Sequence, residues 1–275
     1  MADIIIFGGR GFIGAKLAMR FPGAALPLVD IADPVVVRQV LESEKPSVVI
    51  NASGKTGKPN VDWCEDHRME TLRSNVTGPL VLLEECLQRG IYLVHIGSGC
   101  IYDGEGGKPE GFTEEDKPNF TGSFYSLTKA MSDQLLAPFP VLQVRIRMPF
   151  DDEPGPRNLI TKLVGFKRVL DVRNSITYIP EFIHAVEMLV RKRVTGIYNI
   201  VNGGAVSPYE IMQRFQKLVD PKHAFERLTL ADLPTVVKAA RSNCILSNSK
   251  LLGEGITMLP VAEAIERALL AYRKA

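Results

Sequence analysis

Tyr125 and Lys129 are separated by Ser126-Leu127-Thr128, a spacing that places two side chains on one face of a helix. A phenol so placed can give a proton to a carbonyl oxygen as hydride arrives at carbon, and a neighbouring ammonium lowers its pKa for the task. Ser98 closes Val94-His95-Ile96-Gly97-Ser98, which reads as a strand whose C-terminal hydroxyl can polarise the same carbonyl. Taken singly, the Tyr-Lys pair is equally an exposed helix face and Ser98 a turn residue between glycines. Their order in the chain makes them a candidate catalytic trio.

A second constellation lies near the N-terminus. Ile4-Ile5-Ile6-Phe7 is followed by Gly8-Gly9-Arg10-Gly11-Phe12-Ile13-Gly14. Gly8, Gly11 and Gly14 permit a tight turn, close approach of backbone to a pyrophosphate, and packing of helix on strand. The following helix N-terminus attracts phosphate. A glycine turn between strand and helix is the context a dinucleotide site requires. Gly8, Arg10, Gly11, Phe12, Ile13 and Gly14 are therefore expected at the cofactor, with Tyr125 and Lys129 at its ribose end. Asn51, Ser53 and Gly54 end the strand that should pass beneath it. Asp30 stands about 20 residues on, where an acidic side chain would hold the ribose of NAD. Its setting in Asp30-Ile31-Ala32-Asp33-Pro34 reads instead as a loop in which it caps the next helix or touches adenine. Arg10 could meet a 2′-phosphate, so NADPH is expected, with NADH not excluded.

These groups need a scaffold. Ile4 to Phe7, Ser47 to Asn51, Ile91 to Ile96 and Val141 to Arg145 read as short strands apolar on both faces, as in a buried parallel sheet. Helical patterns at Phe12 to Arg20, Pro34 to Ser43, Gly78 to Gln88 and Ser126 to Leu136 alternate with them. In the third, Leu80, Leu83 and Leu87 form the apolar stripe. The predicted fold class is α/β, a doubly wound parallel sheet of Rossmann type with a smaller C-terminal lobe. Residues 1–148 are assigned to the nucleotide-binding domain, with 170–198 returning to it. Residues 149–169 and 199–275 form the substrate lobe. Within the later part, Ile197 to Val201 reads as a strand and Ser207-Pro208 as a helix start running toward Leu218. A last helix follows Pro260, with Val261, Ile265, Ala268 and Leu269 on one face.

Composition narrows the class. A net charge of +2 spread along 275 residues offers no basic stripe for nucleic acid and no polybasic block for a membrane. No apolar run approaches the ~20 residues of a membrane span. Cys64, Cys86, Cys100 and Cys244 form no CxxC pair, which reads as reduced thiols in a cytoplasmic protein. His67, His184 and His223 lack metal-ligand spacing, His95 reads as a strand histidine, and no metal is expected.

The chain resembles the extended short-chain dehydrogenases and, within them, the nucleotide-rhamnose synthase/epimerase-reductases. The resemblance is carried by residues 56–65 (Thr56-Gly57-Lys58-Pro59-Asn60-Val61-Asp62-Trp63-Cys64-Glu65) and by Gly99-Cys100-Ile101-Tyr102. Residues 114–125, Arg145-Ile146-Arg147-Met148-Pro149, residues 156–162, Gly196-Ile197-Tyr198-Asn199 and Arg241-Ser242-Asn243 extend it. It implies an enzyme that inverts C3 and C5 of a nucleotide 4-keto-6-deoxyglucose and then reduces C4 with NADPH. Ser98, Tyr125 and Lys129 would be the reductive trio, with Ser98 in place of the family's usual Thr. Cys100 and Lys162 would be the epimerisation pair.

Several roles follow from that substrate. Arg147, Arg157, Asn158 and Arg241 are candidates for its diphosphate, or members of surface ion pairs. Trp63, read as lying in a loop beside the sheet edge, either lines the substrate cleft or packs in the core. Asn75 orients the helix facing the site, holds a relay water beside the cofactor, or caps a helix. The nucleotide is UDP, with dTDP as the alternative, and a homodimer is left open. Residues 15 to 45 and Phe150 to Gly155 depart from the family pattern.

Three other functions compete. A plain 4-keto-rhamnose reductase would need neither Cys100 nor Lys162. A non-catalytic NADP-binding regulatory subunit would be expected to have lost part of the trio. A 4-epimerase or 4,6-dehydratase is disfavoured by the absence of an acidic residue beside Ser98.

Overall fold

The computed structural model describes residues 1–273. Strand β1 (Ile4–Phe7) leads through the glycine turn into α1 (Phe12–Arg20), then α2 (Pro34–Glu44) and β2 (Val48–Asn51). Two short helices, α3 (Trp63–Asp66) and α4 (Arg68–Leu72), run into a π-helical turn over Arg73–Thr77 and on into α5 (Gly78–Gln88). Then come β3 (Tyr92–Ser98), α6 (Phe124–Leu136), β4 (Leu142–Ile146), β5 (Pro149–Phe150) and α7 (Leu159–Val164). The rest comprises β6 (Arg168–Leu170), β7 (Thr177–Tyr178), α8 (Ile179–Lys192), β8 (Gly196–Asn199), α9 (Pro208–Leu218), β9 (Glu226–Leu228), α10 (Ser249–Gly253) and α11 (Val261–Tyr272).

The main sheet is parallel, in the order β1-β2-β3-β4-β8. Among the described residues, β1 meets a single bridge on its outer side, Ile5 to Ala25. The chain thus leaves β1 toward one side at Ala25 and returns on the other at β2. Ligands of such sheets lie beyond the C-terminal strand ends near that reversal. Phe7, Asn51 and Ser98 all occupy those ends.

Apolar cores cover both faces of the sheet. One joins Ile6, Ile50, Val94 and Val144 to Phe182, Val186 and Leu189 of α8. The other joins Ile5, Val49 and Leu93 to Val37 and Leu41 of α2 and Leu82 and Leu83 of α5. A separate core unites Phe150, Ile160, Val169, Ile176 and Tyr178 with Met212, Phe215, Ile265 and Leu269. Of the expected return over 170–198, only the part from Ile179 onward joins the sheet-bound core; Ile176 and Tyr178 pack in the lobe.

Some expectations need correction. The α5 stripe is Leu82, Leu83 and Cys86, whereas Leu87 is exposed. The spacing from Leu83 to Leu87 is helical, but Leu87 falls in the last turn and is exposed. Trp63 opens a helix instead of lying in a loop. Helix α6 begins two residues before Ser126, at Phe124. The strand expected from Ile197 to Val201 is Gly196–Asn199. Among the described residues, no helix is long and apolar enough to cross a membrane.

Candidate active site

The glycine turn has the tight backbone its sequence requires. Gly8 has φ 76°, and a Cβ there would lie 2.6 Å from Ser53 N. A Cβ on Gly14 would lie 2.1 Å from Gly8 O, so α1 can start only where it does if residue 14 is glycine. Gly11 N donates to Gly8 O at 2.9 Å, and Gly11 is the extended N-cap of α1 without a side-chain cap. Phe12 and Ile13 pack onto the core below, leaving the backbone N–H groups of the first turn as the anion-binding feature. Ala52 and Ser53 pass directly under Gly8. These features fit a dinucleotide pyrophosphate.

Helix α6 carries the trio's two helical members. Ser123 Oγ accepts from Ser126 N at 3.1 Å as its N-cap, and Glu65 Oε1 accepts from Phe124 N at 2.6 Å. Lys129 is buried and donates from Nζ to Ile96 O at 3.2 Å. Burial pulls its pKa down to about 8, with Asp133 and Cys100 opposing. Burial also pushes the Tyr125 phenol upward, a negative charge on Cys100 adds to this, and the Ser98 hydroxyl works the other way. The phenol therefore carries its proton at neutral pH, as a proton donor must. Ser98 Oγ accepts from Cys100 N at 3.1 Å, tying the strand end to the thiol's backbone.

Cys100 is partly exposed, and Arg147 Nη1 donates to its Sγ at 2.7 Å. Arg147 is only 2% exposed, and its Nη2 donates to Asn174 Oδ1 and to Ser242 O, each at 2.5 Å. Burial works against the charge on this guanidinium, but Cys100 and Cys244 outweigh it and the group is held charged. Arg147 is thus the counter-charge beside the thiol instead of a diphosphate ligand, which corrects the expectation. Met148, next along, takes φ 40°, a left-handed conformation uncommon for a side chain of this kind.

Lys162 lies on α7, half-buried, and burial followed by the nearby Arg157 lowers its pKa. No hydrogen bond joins it to Cys100 in this structure. Asn158 is the N-cap of α7: Oδ1 accepts from Ile160 N, and Nδ2 donates to Asp151 O and Glu153 O. Fully buried, it holds α7 in place and offers nothing to a diphosphate, a second correction. Arg157 Nη1 donates to Thr56 Oγ1 and Gly57 O, both at 2.9 Å, and its Nε and Nη2 have no hydrogen-bond partner among the described residues. Arg241 pairs with Asp62 at 2.8 Å. Although burial opposes it, this contact holds the Asp62 carboxyl down at about 2. The Trp63 indole stacks on His67, with centroids 3.8 Å apart, and Lys55 Nζ stands 5.6 Å from its ring.

Two residues expected at the cofactor, Asn75 and Asn51, make hydrogen bonds within the protein. Asn75 Nδ2 donates to Lys55 O and to Thr128 Oγ1, while its Oδ1 accepts from Lys55 N at 2.8 Å. Its amide is occupied within the protein, bracing α6 from the π-helical turn. Asn51 is fully buried and joins Ser53 N to His95 Nδ1. Asp30 does not cap α2; Asp33 does, through Val35 N and Val36 N. Arg10 is exposed at the tip of the turn.

Asp133 and Asn174 were not singled out in the sequence. Asp133 follows Lys129 by four residues and forms a buried two-point pair with Arg145. That spacing was a readable signal. Asn174 holds Arg147 and also accepts from Cys244 N at 3.0 Å, contacts with no local signature.

Comparison with known proteins identifies the family. The model of the RmlD substrate binding domain matches residues 1–162. The chain belongs to that family. A bifunctional dTDP-4-dehydrorhamnose 3,5-epimerase/dTDP-4-dehydrorhamnose reductase from Arabidopsis thaliana is 39% identical, covering 96% of this chain and 91% of the relative. A trifunctional UDP-glucose 4,6-dehydratase/UDP-4-keto-6-deoxy-D-glucose 3,5-epimerase/UDP-4-keto-L-rhamnose-reductase of the same plant is 41% identical over 95% of this chain, which spans only 41% of it. The crystal structure of the L780 UDP-rhamnose synthase from Acanthamoeba polyphaga mimivirus superposes with a TM-score of 0.93 at 31% identity, covering 98% of each chain.

Proposed function

We propose that this chain is a nucleotide-sugar 3,5-epimerase/4-reductase, converting a UDP- or dTDP-4-keto-6-deoxyglucose to the corresponding L-rhamnose. The observation that carries this reading is the meeting of two sets of groups at one sheet end. Ser98, Tyr125 and Lys129 serve a carbonyl, and Cys100 with its guanidinium serves a neighbouring carbon. A plain reductase would have no use for the second set.

In this mechanism C3 and C5 each lie next to the C4 ketone, so loss of a proton there sends charge onto the C4 oxygen. The Ser98 and Tyr125 hydroxyls donate to that oxygen and stabilise the charge. Cys100 and Lys162 take the proton and return one on opposite faces of the ring, inverting the centre. Arg147 balances the charge when Cys100 has given up its proton. NADPH, when bound, would supply the hydride that reduces C4. Tyr125 Oη then passes its proton to the C4 oxygen, and the Lys129 ammonium favours the phenolate left behind. The glycine turn and the N-terminus of α1 would hold the cofactor's diphosphate. Arg157, through its Nε and Nη2, is our choice for the substrate's diphosphate, with Arg241 and Trp63 at the same cleft. We assign cofactor binding to residues 1–148 with the sheet-packed part of 170–198, and sugar binding to 149–169 and 199–275.

The test is turnover in deuterated water with NADPH and either the UDP or the dTDP 4-keto-6-deoxy sugar. The expected product is a nucleotide-rhamnose labelled at C3 and C5. Cys100→Ala should abolish label and inversion while still reducing a sugar supplied already inverted. Reduction without exchange by the intact enzyme would overturn the epimerase half, and no turnover on either nucleotide would overturn the whole.

A further inference from the structure

Asp30 follows the glycine turn by about the interval at which an acidic side chain in this fold reaches the hydroxyls of an adenosine ribose. The segment before it bridges β1 at Ala25, so Asp30 emerges at the same end of the sheet as the glycine turn. To hold a diol, a carboxylate needs free lone pairs directed at it. Those of Asp30 are engaged: Oδ1 accepts from Ala32 N at 2.9 Å and Oδ2 accepts from Arg73 Nε at 2.7 Å.

Arg73 is the complementary half of the arrangement. Its side chain is 54% exposed, and Nε is the only one of its side-chain nitrogens bonded to protein among the described residues. Both terminal nitrogens remain available as donors. The two sides of the pair are fixed to one another. Arg73 opens the π-helical turn that Asn75 clamps to Lys55 and Thr128. Gly78, just after that turn, presses on Ile31, where a Cβ would lie 2.4 Å from Ile31 Cγ1. Arg10 adds a second exposed cation from the glycine turn, with no hydrogen-bond partner among the described residues. Asp33, the next acidic residue, is occupied in capping α2.

We infer that Asp30 acts by aiming Arg73, and that Arg73, with Arg10, recognises a phosphate on the adenosine ribose and makes this chain selective for the 2′-phosphorylated dinucleotide. The inference rests on the dinucleotide site proposed above and assigns its selectivity to residues 30 and 73. A guanidinium held at Nε presents its two terminal groups as a planar fork that matches phosphate oxygens.

Isothermal titration of the full chain with NADPH, NADH, 2′,5′-ADP and 5′-AMP tests this without turnover. The intact protein should bind each 2′-phosphorylated ligand at least about tenfold more tightly than its unphosphorylated counterpart. Arg73→Met should lose most of that preference while changing NADH affinity less than about twofold. Arg10→Met should reduce it partially. Asp30→Asn separates the two roles of the carboxylate. If Asp30 aims Arg73, NADPH weakens and NADH does not. If it holds a ribose diol, NADH weakens more, which overturns the inference. An unchanged NADPH-to-NADH ratio in Arg73→Met also overturns it. Failure of the intact protein to bind any of the four ligands would instead overturn the dinucleotide site itself.

Discussion

Replacing Arg145 by Met offers a demanding test of how the catalytic helix is held. Arg145 lies on β4 and Asp133 on α6, one helical turn beyond Lys129. Two parallel hydrogen bonds of 2.8 Å join them, Nε to Oδ2 and Nη2 to Oδ1. The side chains are 1% and 5% exposed, and the Tyr102 ring lies 5.3 Å from the guanidinium. Water cannot replace the lost partner, so Arg145→Met leaves a carboxylate buried without its cation. Breaking a buried pair this way destabilises by about 3–5 kcal/mol. At roughly 2–3 °C per kcal/mol for a domain of this size, the melting temperature should fall by roughly 6–15 °C. Arg145→Met combined with Asp133→Leu removes both charges and should recover most of the loss, since an apolar replacement of a buried pair is often neutral. Thermal and urea unfolding of the four proteins would give the coupling energy. A single variant losing less than about 1 kcal/mol, or a double variant no more stable than the single, would refute the reasoning.

The other predictions concern the site. Because Lys129 is held at about 8, kcat/KM for ketone reduction should fall as pH rises through that value and its ammonium is lost. Stability should move the opposite way: the unfolded chain retains this proton up to the ordinary value near 10.5, so the unfolding free energy rises between about 8 and 10.5. Absence of that rise in urea titrations at several pH values, or its persistence in Lys129→Met, would contradict the assignment. Gly14→Ala must displace the Gly8 carbonyl, 2.1 Å from the added Cβ. Calorimetric affinity for NADPH should drop by at least about tenfold, a loss of roughly 1.4 kcal/mol or more. Asn75→Ala removes three hydrogen bonds, two to the Lys55 backbone and one to Thr128 of α6. It should destabilise by about 1–3 kcal/mol and lower kcat more than it raises KM; equal kcat in the variant would show that the brace is irrelevant to turnover.

The sheet was legible because β1 to β4 are buried on both faces, and nothing polar interrupts Ile4-Ile5-Ile6-Phe7 or Val48-Val49-Ile50. Helix α8 was not singled out, although its apolar face, with Phe182, Val186 and Leu189, covers the sheet. Its pattern runs straight out of the short strand β7, with no glycine or turn between them. At the site, Tyr125 and Lys129 could be read from their spacing because that relation is local to one helix. Arg147 could not. An arginine near a sugar-nucleotide motif suggests phosphate, and only the fold reveals that its partners are Cys100, Asn174 and Ser242. Asn158 precedes an apolar run, which is the local sign of an N-cap. Arg73 and Asp30 meet across 43 residues, a relation that periodicity cannot express.

The partners of Arg147 carry one more consequence. The family model covers residues 1–162, yet Asn174, Thr177 and Ser242, which hold this arginine by side chain and backbone, all lie beyond that limit. So does β8, which completes the sheet beside β4. The protein therefore cannot be divided after residue 162 into a nucleotide-binding module and an interchangeable sugar-binding one. A fragment ending there would expose the edge of β4 and strand a buried cation next to the thiol. Exchange of lobes between relatives must carry the residue 147 contacts along with it, so the two halves of this chain are constrained to change together.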